Sequence, residues 1–514
     1  MKKYTAFATA ISIIVLVVSS LPIIYFSFFP KDNLLFLGRR YINSQDVYTY
    51  VSFIEQARQG RNLFENLFTS EPQKPSLIRP SYLLIGKFAN AFGASSVNAY
   101  QTSRIVFCIL FFFVLWKFLD LFFIDQKHKF IAYTLLITSS GFGFFIFKWF
   151  NNSTDLWISE SNTFFSLGEA PHFILSQALM LGGYYLFIDY LKNKNVSSIL
   201  VSCLLFLALS FEHPFNLVVI APVLFLTAVW NTTPWIKSAL IALGASIGLI
   251  YAYYSTVTNP ILALWQNQNI LLSPIPLAYA SGFGFILILA IIGLEKMLNE
   301  KLSITNKFLI VWITINSFLL YFPVNFQRRL VEGLHIPLGI VSTFGLLYLI
   351  QNYKTQKQNL LITITIAVLS LTSIFMVYTD FSIINTDKSD SYYYHISSDE
   401  MKAIKWLGDN TNSNDIVLSN WYMGNLIPGL IGRKVYIGHK IQTANWDTKT
   451  KSLDLFIQNS NSDLSHNFLV DNKISYMFIG RNDVILQSGF KPENYPDLKS
   501  VYNQDGVAIY QVLK

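Results

Sequence analysis

KDNLLFLGRRYINSQDVYTY, residues 31–50, opens a polar run that extends to Ala99 and lies between two apolar stretches. The stretch before it begins near Thr5, behind Met1-Lys2-Lys3, and ends near Phe29. That is long enough to cross about 30 Å of hydrocarbon as a helix. The polar run is therefore a loop between two membrane spans, and it carries a pattern of its own. Val47, Val51, Ile54 and Ala57 recur at helical spacing, which predicts a short helix lying along the bilayer surface with Asp46 in its first turn. A carboxylate in that place reads either as an N-terminal helix cap or as a general base that accepts a proton from an attacking hydroxyl. Tyr48 and Tyr50 beside it suit a sugar ring, which is apolar on its face and hydroxylated at its edge.

Composition sets the broad class. Hydrophobic residues make up 52% of the 514 and charged residues only 13%, with a positive mean hydropathy. An ordinary soluble chain carries far more charge. About eleven apolar runs fall near residues 5–29, 103–124, 130–149, 172–191, 196–211, 214–230, 236–257, 276–295, 306–324, 334–352 and 359–378. These predict an α-helical multi-pass membrane protein. The first run is too long for the core of a secretory signal and has no clear small-x-small cleavage site, so it reads as an uncleaved span. Cys108 and Cys203 each fall inside a predicted span and carry neither disulfide nor metal-ligand spacing. The formal charge of +8 reads as lysines held at anionic headgroups rather than as a nucleic-acid surface.

Lysine sorting gives the orientation. Lys2, Lys3, Lys127, Lys129, Lys192, Lys194, Lys237, Lys296, Lys301, Lys307, Lys354 and Lys357 fall in one set of loops, which the positive-inside rule places in the cytoplasm. The other set holds Asp46, Glu169, His172, Glu212, His213 and the 326–333 run with Arg328 and Arg329. All the chemically loaded motifs thus share the outer face, although the sorting did not use them. An odd number of spans puts the polar C-terminal segment outside too. There 399–409 reads as an amphipathic helix, 415–419, 434–438 and 475–480 as short strands, and 501–512 as a hairpin about Asn503-Gln504-Asp505-Gly506. The expected domains are a transmembrane domain over 1–378 with its large first outer loop at 31–99, and a small extracytoplasmic α/β domain over 379–514. No nucleotide-binding glycine pattern is present, since Gly141-Phe142-Gly143 lies inside a predicted span.

Arg328 and Arg329 suit a phosphate or diphosphate, whose oxygens guanidinium forks bind in pairs. They read equally as an interfacial pair holding headgroups, or as partners of Glu332. His335 near the same helix entrance offers a further donor. Glu169-Ala170-Pro171-His172 and Glu212-His213-Pro214 each place an acid, a histidine and a proline at the mouth of a span. Glu169 and His172 are expected to share a helix face. With Asp46 they supply oxygen and nitrogen ligands adequate for a divalent cation, or else they hydrogen-bond one another and hold the shape of a cavity. The uncharged 259–276 segment reads as a lid over a lipid tail or as a plain connector. His439 or Trp446 reads as a contact to an acceptor or as ordinary loop chemistry.

An early acid in the first outer loop, about eleven spans, the Glu169/His172, Glu212/His213 and Gln327-Arg328-Arg329 motifs and an outer C-terminal domain resemble the GT-C membrane glycosyltransferases. The bacterial lipid-linked-sugar branch, related to protein mannosyltransferases and aminoarabinose transferases, is the most similar. The resemblance implies transfer of a sugar from a polyprenyl-phosphate donor to a glycan, lipid or protein acceptor at the outer face of the plasma membrane. It implies Asp46 as base and the two arginines at the donor phosphate, with a divalent metal as a possible cofactor. Such enzymes often carry a paired acid in the first loop; here Asp46 stands between Gln45 and Val47, so one acid must serve. A transporter or lipid flippase would instead show polar residues in mid-membrane and two related halves. A non-catalytic scaffold would work through its outer domain alone.

Overall fold

The computed structural model describes residues 2–31, 33–386, 393–458, 462–481, 483, 485 and 489–513. The chain divides into two compact units, one of Met1–Pro22, Ser103–Tyr253 and Ile270–Phe381, the other of Ile23–Thr102, Tyr254–Asn269 and Ser382–Lys514.

The first unit is helical. Among the described residues six helices are long and apolar enough to cross a membrane: Lys2–Phe28, Pro171–Asn193, Ile236–Thr258, Pro276–Leu298, Gln327–Ile350 and Thr355–Thr386; Val196–Glu212, Pro214–Trp230 and Ile304–Leu319 are shorter apolar helices. This is a multi-pass membrane protein. The run expected to span at 130–149 is interrupted, since its helix, Gln126–Thr138, stops before a loop and the single turn Gly143–Ile146. Two long helices meet backbone to backbone. A methyl added at Gly293 would stand 2.1 Å from the Val341 carbonyl oxygen, and one at Gly345 would stand 2.0 Å from that of Leu289. Small residues permit this approach, which supplies packing where lipid gives helices no hydrophobic drive to associate.

The second unit is built from segments far apart in sequence. Strand β1 (Leu34–Phe36) pairs antiparallel with β2 (His395–Ser397), Leu35 opposite Ile396. Ser397 then caps the helix Ser398–Asn410, exchanging bonds with Glu400 in a capping box. A five-stranded sheet follows, from β3 (Ile416–Leu418), β4 (Lys434–Val435), β5 (Ile474–Ile479), β6 (Leu498–Gln504) and β7 (Val507–Val512), in the order β4-β3-β5-β7-β6. β3 is parallel to β4 and β5, while β7 runs antiparallel to β5 and β6. The expected helix, strands and hairpin of this segment are all present.

The helix Asp46–Arg58 starts where the sequence predicted, but its apolar face is not on a bilayer. Val51, Ile54 and Ala57 are fully buried against the helices Pro80–Ala91 and Trp421–Ile431. Gln59 Nε2 donates to the Ile431 carbonyl at 3.0 Å and Asn425 Nδ2 to that of Gln45 at 3.3 Å. A 3.6-residue apolar period serves a protein partner as well as a membrane. Here the Pro80–Ala91 helix of the same loop and the C-terminal segment are that partner.

Candidate active site

In the second unit the N-cap of the Asp46–Arg58 helix falls on Gln45, whose side chain makes no capping bond. Asp46, one residue on, receives a histidine instead. His439 Nε2 stands 2.9 Å from Asp46 Oδ1. The other ring nitrogen, Nδ1, accepts the backbone N–H of Ile441 at 3.2 Å, so the proton of the neutral ring sits on Nε2 and is donated to the carboxylate. The two side chains differ in exposure, 4% for His439 and 40% for Asp46. The acid is thus held from behind and open in front.

The loop carrying His439 is itself fixed. The His439 carbonyl accepts the N–H groups of Gln442 and Thr443 at 3.0 and 2.8 Å. Thr443 Oγ1 donates to the Phe68 carbonyl at 2.9 Å, and Asn66 Nδ2 donates to that of Gln442 at 2.7 Å. Phe68 packs edge-on against the imidazole, with centroids 6.1 Å apart. Lys449, buried, ties the next helix back to the first loop through Thr69, Ser70 and Glu71. Trp446 opens that helix, Trp446–Gln458.

The two tyrosines beside Asp46 part ways. Tyr48 is a core residue: its ring lies under the Arg39 guanidinium at 4.4 Å and its hydroxyl donates to the Leu37 carbonyl at 3.2 Å. Burial pushes its phenol up to about 12, so it stays protonated at neutral pH. The expectation that Tyr48 lines a substrate cavity gives way to a packing role. Tyr50 is half-buried and stacks on Tyr82 and Tyr100 at 5.5 and 6.4 Å, with Arg79 5.5 Å from its ring.

In the first unit Arg328 and Arg329 sit on the short turn Gln327–Val331. The turn is sewn to a neighbouring segment, since the Arg328 N–H donates to the Leu271 carbonyl at 3.0 Å and the Ser273 N–H to Gln327 Oε1 at 3.1 Å. The Arg328 guanidinium lies 5.2 Å over the Trp157 ring, and that of Arg329 lies 5.3 Å over Phe215. Arg328 Nε is buried without a hydrogen-bond partner, a state that normally costs free energy unless something is bound there. Glu332 turns away from the arginine pair reading: its carboxylate takes His213 Nδ1 at 2.8 Å and the Ser176 hydroxyl. The His172 ring stands edge-on to His213 at 5.0 Å. His172 is in the first turn of Pro171–Asn193, whereas Glu169 precedes that helix, so the two do not share a helix face as expected. Glu169 and Glu212 are both buried, 7% and 6% exposed. His335 is buried as well, with Thr163 Oγ1 at 2.9 Å from Nδ1 and Ser139 Oγ at 3.3 Å from Nε2. Both nitrogens being engaged, His335 packs the helix entrance rather than offering a donor to phosphate.

Sequence reasoning passed over Asp155. Its Oδ2 accepts the N–H groups of Gly141 and Gly143 at 2.9 and 3.0 Å, and burial pushes the carboxyl up to about 6 against those donors. It anchors the loop that puts Trp157 under Arg328. The polar run Ser153-Thr154-Asp155 and Ser159-Glu160-Ser161 between apolar stretches was the available signal. Among the described residues no three His, Cys, Asp or Glu side chains form a group that could hold a metal; of the candidates, Asp46 belongs to one compact unit and Glu169 and His172 to the other.

No protein-family profile matches the chain, and no curated protein matches it. Solved structures do. The oligosaccharyltransferase of Archaeoglobus fulgidus, tethered to an acceptor peptide containing the NVT sequon, superposes with a TM-score of 0.54 at 12% identity over 98% of this chain and 74% of that one. The archaeal oligosaccharyltransferase AglB from the same organism, in complex with an inhibitory peptide and a dolichol-phosphate, gives 0.54 at 13% over 93% and 69%. ArnT from Cupriavidus metallidurans bound to undecaprenyl phosphate gives 0.52 at 9% over 99% and 98%. At such identities the likeness is one of fold, and the fold this chain carries is that of the GT-C membrane glycosyltransferases.

Proposed function

We propose that the protein is a membrane glycosyltransferase that moves a sugar from a polyprenyl-phosphate donor to an acceptor hydroxyl at the outer face of the plasma membrane. The observation that carries this reading is the match to ArnT bound to undecaprenyl phosphate across nearly the whole of both chains. In this reading the chain crosses the bilayer about eleven times, with its N-terminus in the cytoplasm and the 379–514 segment outside.

The chemistry is a single displacement. Asp46 takes the proton of the acceptor hydroxyl as that oxygen forms a bond to the anomeric carbon. The bond from that carbon to the phosphate oxygen breaks, its electron pair leaves with the polyprenyl phosphate, and the configuration inverts. Arg328 and Arg329 hold the donor phosphate and stabilise the charge that grows on it, an electrostatic contribution that is large where water is scarce. The unpartnered Arg328 Nε and the indole beneath that guanidinium support this role. Glu169, His172, Glu212 and His213 shape the cavity, and Tyr50 offers an aromatic edge to the acceptor.

The test compares lipid-linked sugars and glycans of cells lacking the gene with those of cells complemented by wild type or Asp46→Asn. Asparagine fits the same space and cannot take the proton. The expected outcome is loss of a glycoconjugate on deletion, restored by wild type and not by Asp46→Asn at equal membrane abundance. Full restoration by Asp46→Asn overturns the assignment of the base. Glycans untouched by deletion return the protein to the transporter or scaffold classes.

A further inference from the structure

We propose that His439 is a positioning residue for Asp46, so that the C-terminal segment completes the acid of the first loop. The inference rests on the reading of Asp46 as general base. The observations are the 2.9 Å contact from Nε2 to Oδ1 and the acceptance of the Ile441 N–H by Nδ1. The ring is 4% exposed and sits in a loop fixed by Phe68, Asn66 and Thr443.

A base must present its carboxylate in one orientation and in its ionised form. An aspartate side chain has two rotatable bonds, and at 40% exposure packing alone does not fix them. The N–H that arrives from a buried ring holds the carboxylate plane in one orientation. Because Nδ1 is already an acceptor, His439 does not itself take the substrate proton. It acts through Asp46 as the partner of a working group, in the way outer residues orient the ligands and bases of other sites. The assignment gives the C-terminal segment a share in the chemistry that its sheet alone would not suggest.

Two amides separate this role from a merely structural one. In His439→Gln the amide nitrogen reaches the place of Nε2 and keeps the bond to Asp46, while the bond to Ile441 is lost. In His439→Asn the amide oxygen takes the place of Nδ1 and keeps the bond to Ile441, while the imidazole N–H to Asp46 is lost. The full-length protein is reconstituted in vesicles of lipid extract from its own cells, and turnover is read as release of free polyprenyl phosphate. Binding of added undecaprenyl phosphate is measured in parallel.

The expected result is turnover within about threefold of wild type for His439→Gln and a loss of about ten- to a hundredfold for His439→Asn, with the affinity for undecaprenyl phosphate unchanged in both. A structural role would reverse that order, since His439→Asn preserves the loop. Should either variant fail to reach the membrane, the comparison is made between wild type and His439→Leu at matched thermal stability, with the same loss expected. Wild-type turnover in His439→Asn, or in a folded His439→Leu, overturns the inference. If Asp46→Asn is inactive in the same assay while His439→Asn is not, the positioning role falls and the base assignment stands. If Asp46→Asn is active, the base assignment is what fails.

Discussion

Replacing Gly424 by alanine perturbs the site without touching any polar group in it. Gly424 lies in the helix Trp421–Ile431, and a methyl added there would stand 1.9 Å from the Ile437 carbonyl oxygen. Across the same contact, a methyl at Gly438 would stand 2.5 Å from the Gly424 carbonyl oxygen. Helix and loop therefore touch through bare backbone, and His439 is the next residue. To accept a methyl the contact must open from 1.9 Å to at least 3.0 Å, a shift of about 1.1 Å. Passed on to His439, that shift stretches the 2.9 Å bond to Asp46 to about 4 Å, beyond hydrogen-bond reach. Overpacking of this kind costs about 1–3 kcal/mol of stability, and a misplacement near 1 Å costs about a hundredfold in rate. The assay pairs denaturant unfolding of the purified full chain with release of polyprenyl phosphate from vesicles. Gly424→Ala should lose both stability and turnover, with binding of undecaprenyl phosphate intact. An alanine variant as stable as wild type would refute the close approach. One that is destabilised but turns over at the wild-type rate would refute the dependence of the chemistry on this loop.

Other expectations concern the phosphate and the pH response. Arg328→Gln removes the cation stacked on Trp157 and should weaken binding of undecaprenyl phosphate about ten- to a hundredfold, the worth of a charge-assisted bond; equal affinity, measured by quenching of tryptophan fluorescence, would remove Arg328 from the donor site. Glu400 lies buried in its capping box, and burial raises its carboxyl above the usual glutamate range. Its folded form binds the proton more tightly than its unfolded form, so the stability it contributes is full below the ordinary value near 4.5 and is lost as pH rises through the raised one. Glu400→Gln should flatten that part of the stability profile just above pH 4.5, read as the thermal midpoint across the acid range; an unchanged slope would mean the carboxyl is not the titrating group.

Elements with a strong local signature were legible in the sequence. The C-terminal strands announced themselves by short apolar runs between turn residues, and the Asp46–Arg58 helix by its period and its start. What covers that helix was not legible, because Val51, Ile54 and Ala57 would line up in the same way for lipid or for protein. Pairing of β1 with β2 joins three residues to three others across most of the chain, and nothing local marks such a register. The same holds for His439, whose distance from Asp46 in sequence hides the contact, so that it read as an acceptor contact or as ordinary loop chemistry and not as a partner of Asp46. Asp155 was missed because two of its donors are the backbone N–H groups of Gly141 and Gly143, which leave no trace in side-chain identities, and the nearby Ser153 hydroxyl that also bonds it read as part of an ordinary polar loop. His335 and Tyr48 were credited with function on position and residue type; their burial, with every polar atom taken up or packed away, gives them structural work.

The unit that holds Asp46 draws on β1 near residue 34 and β2 near residue 395. On a ribosome these strands are separated by many seconds of synthesis, at rates of about 5–20 residues per second. Until the Trp421–Ile431 helix is made, the Asp46–Arg58 helix has only the Pro80–Ala91 helix of its own loop to pack against. No nascent fragment that ends before His439 possesses the aspartate–histidine pair, so under the proposed function such a fragment lacks its completed base. On that reading, competence for transfer arrives late, as an event of assembly.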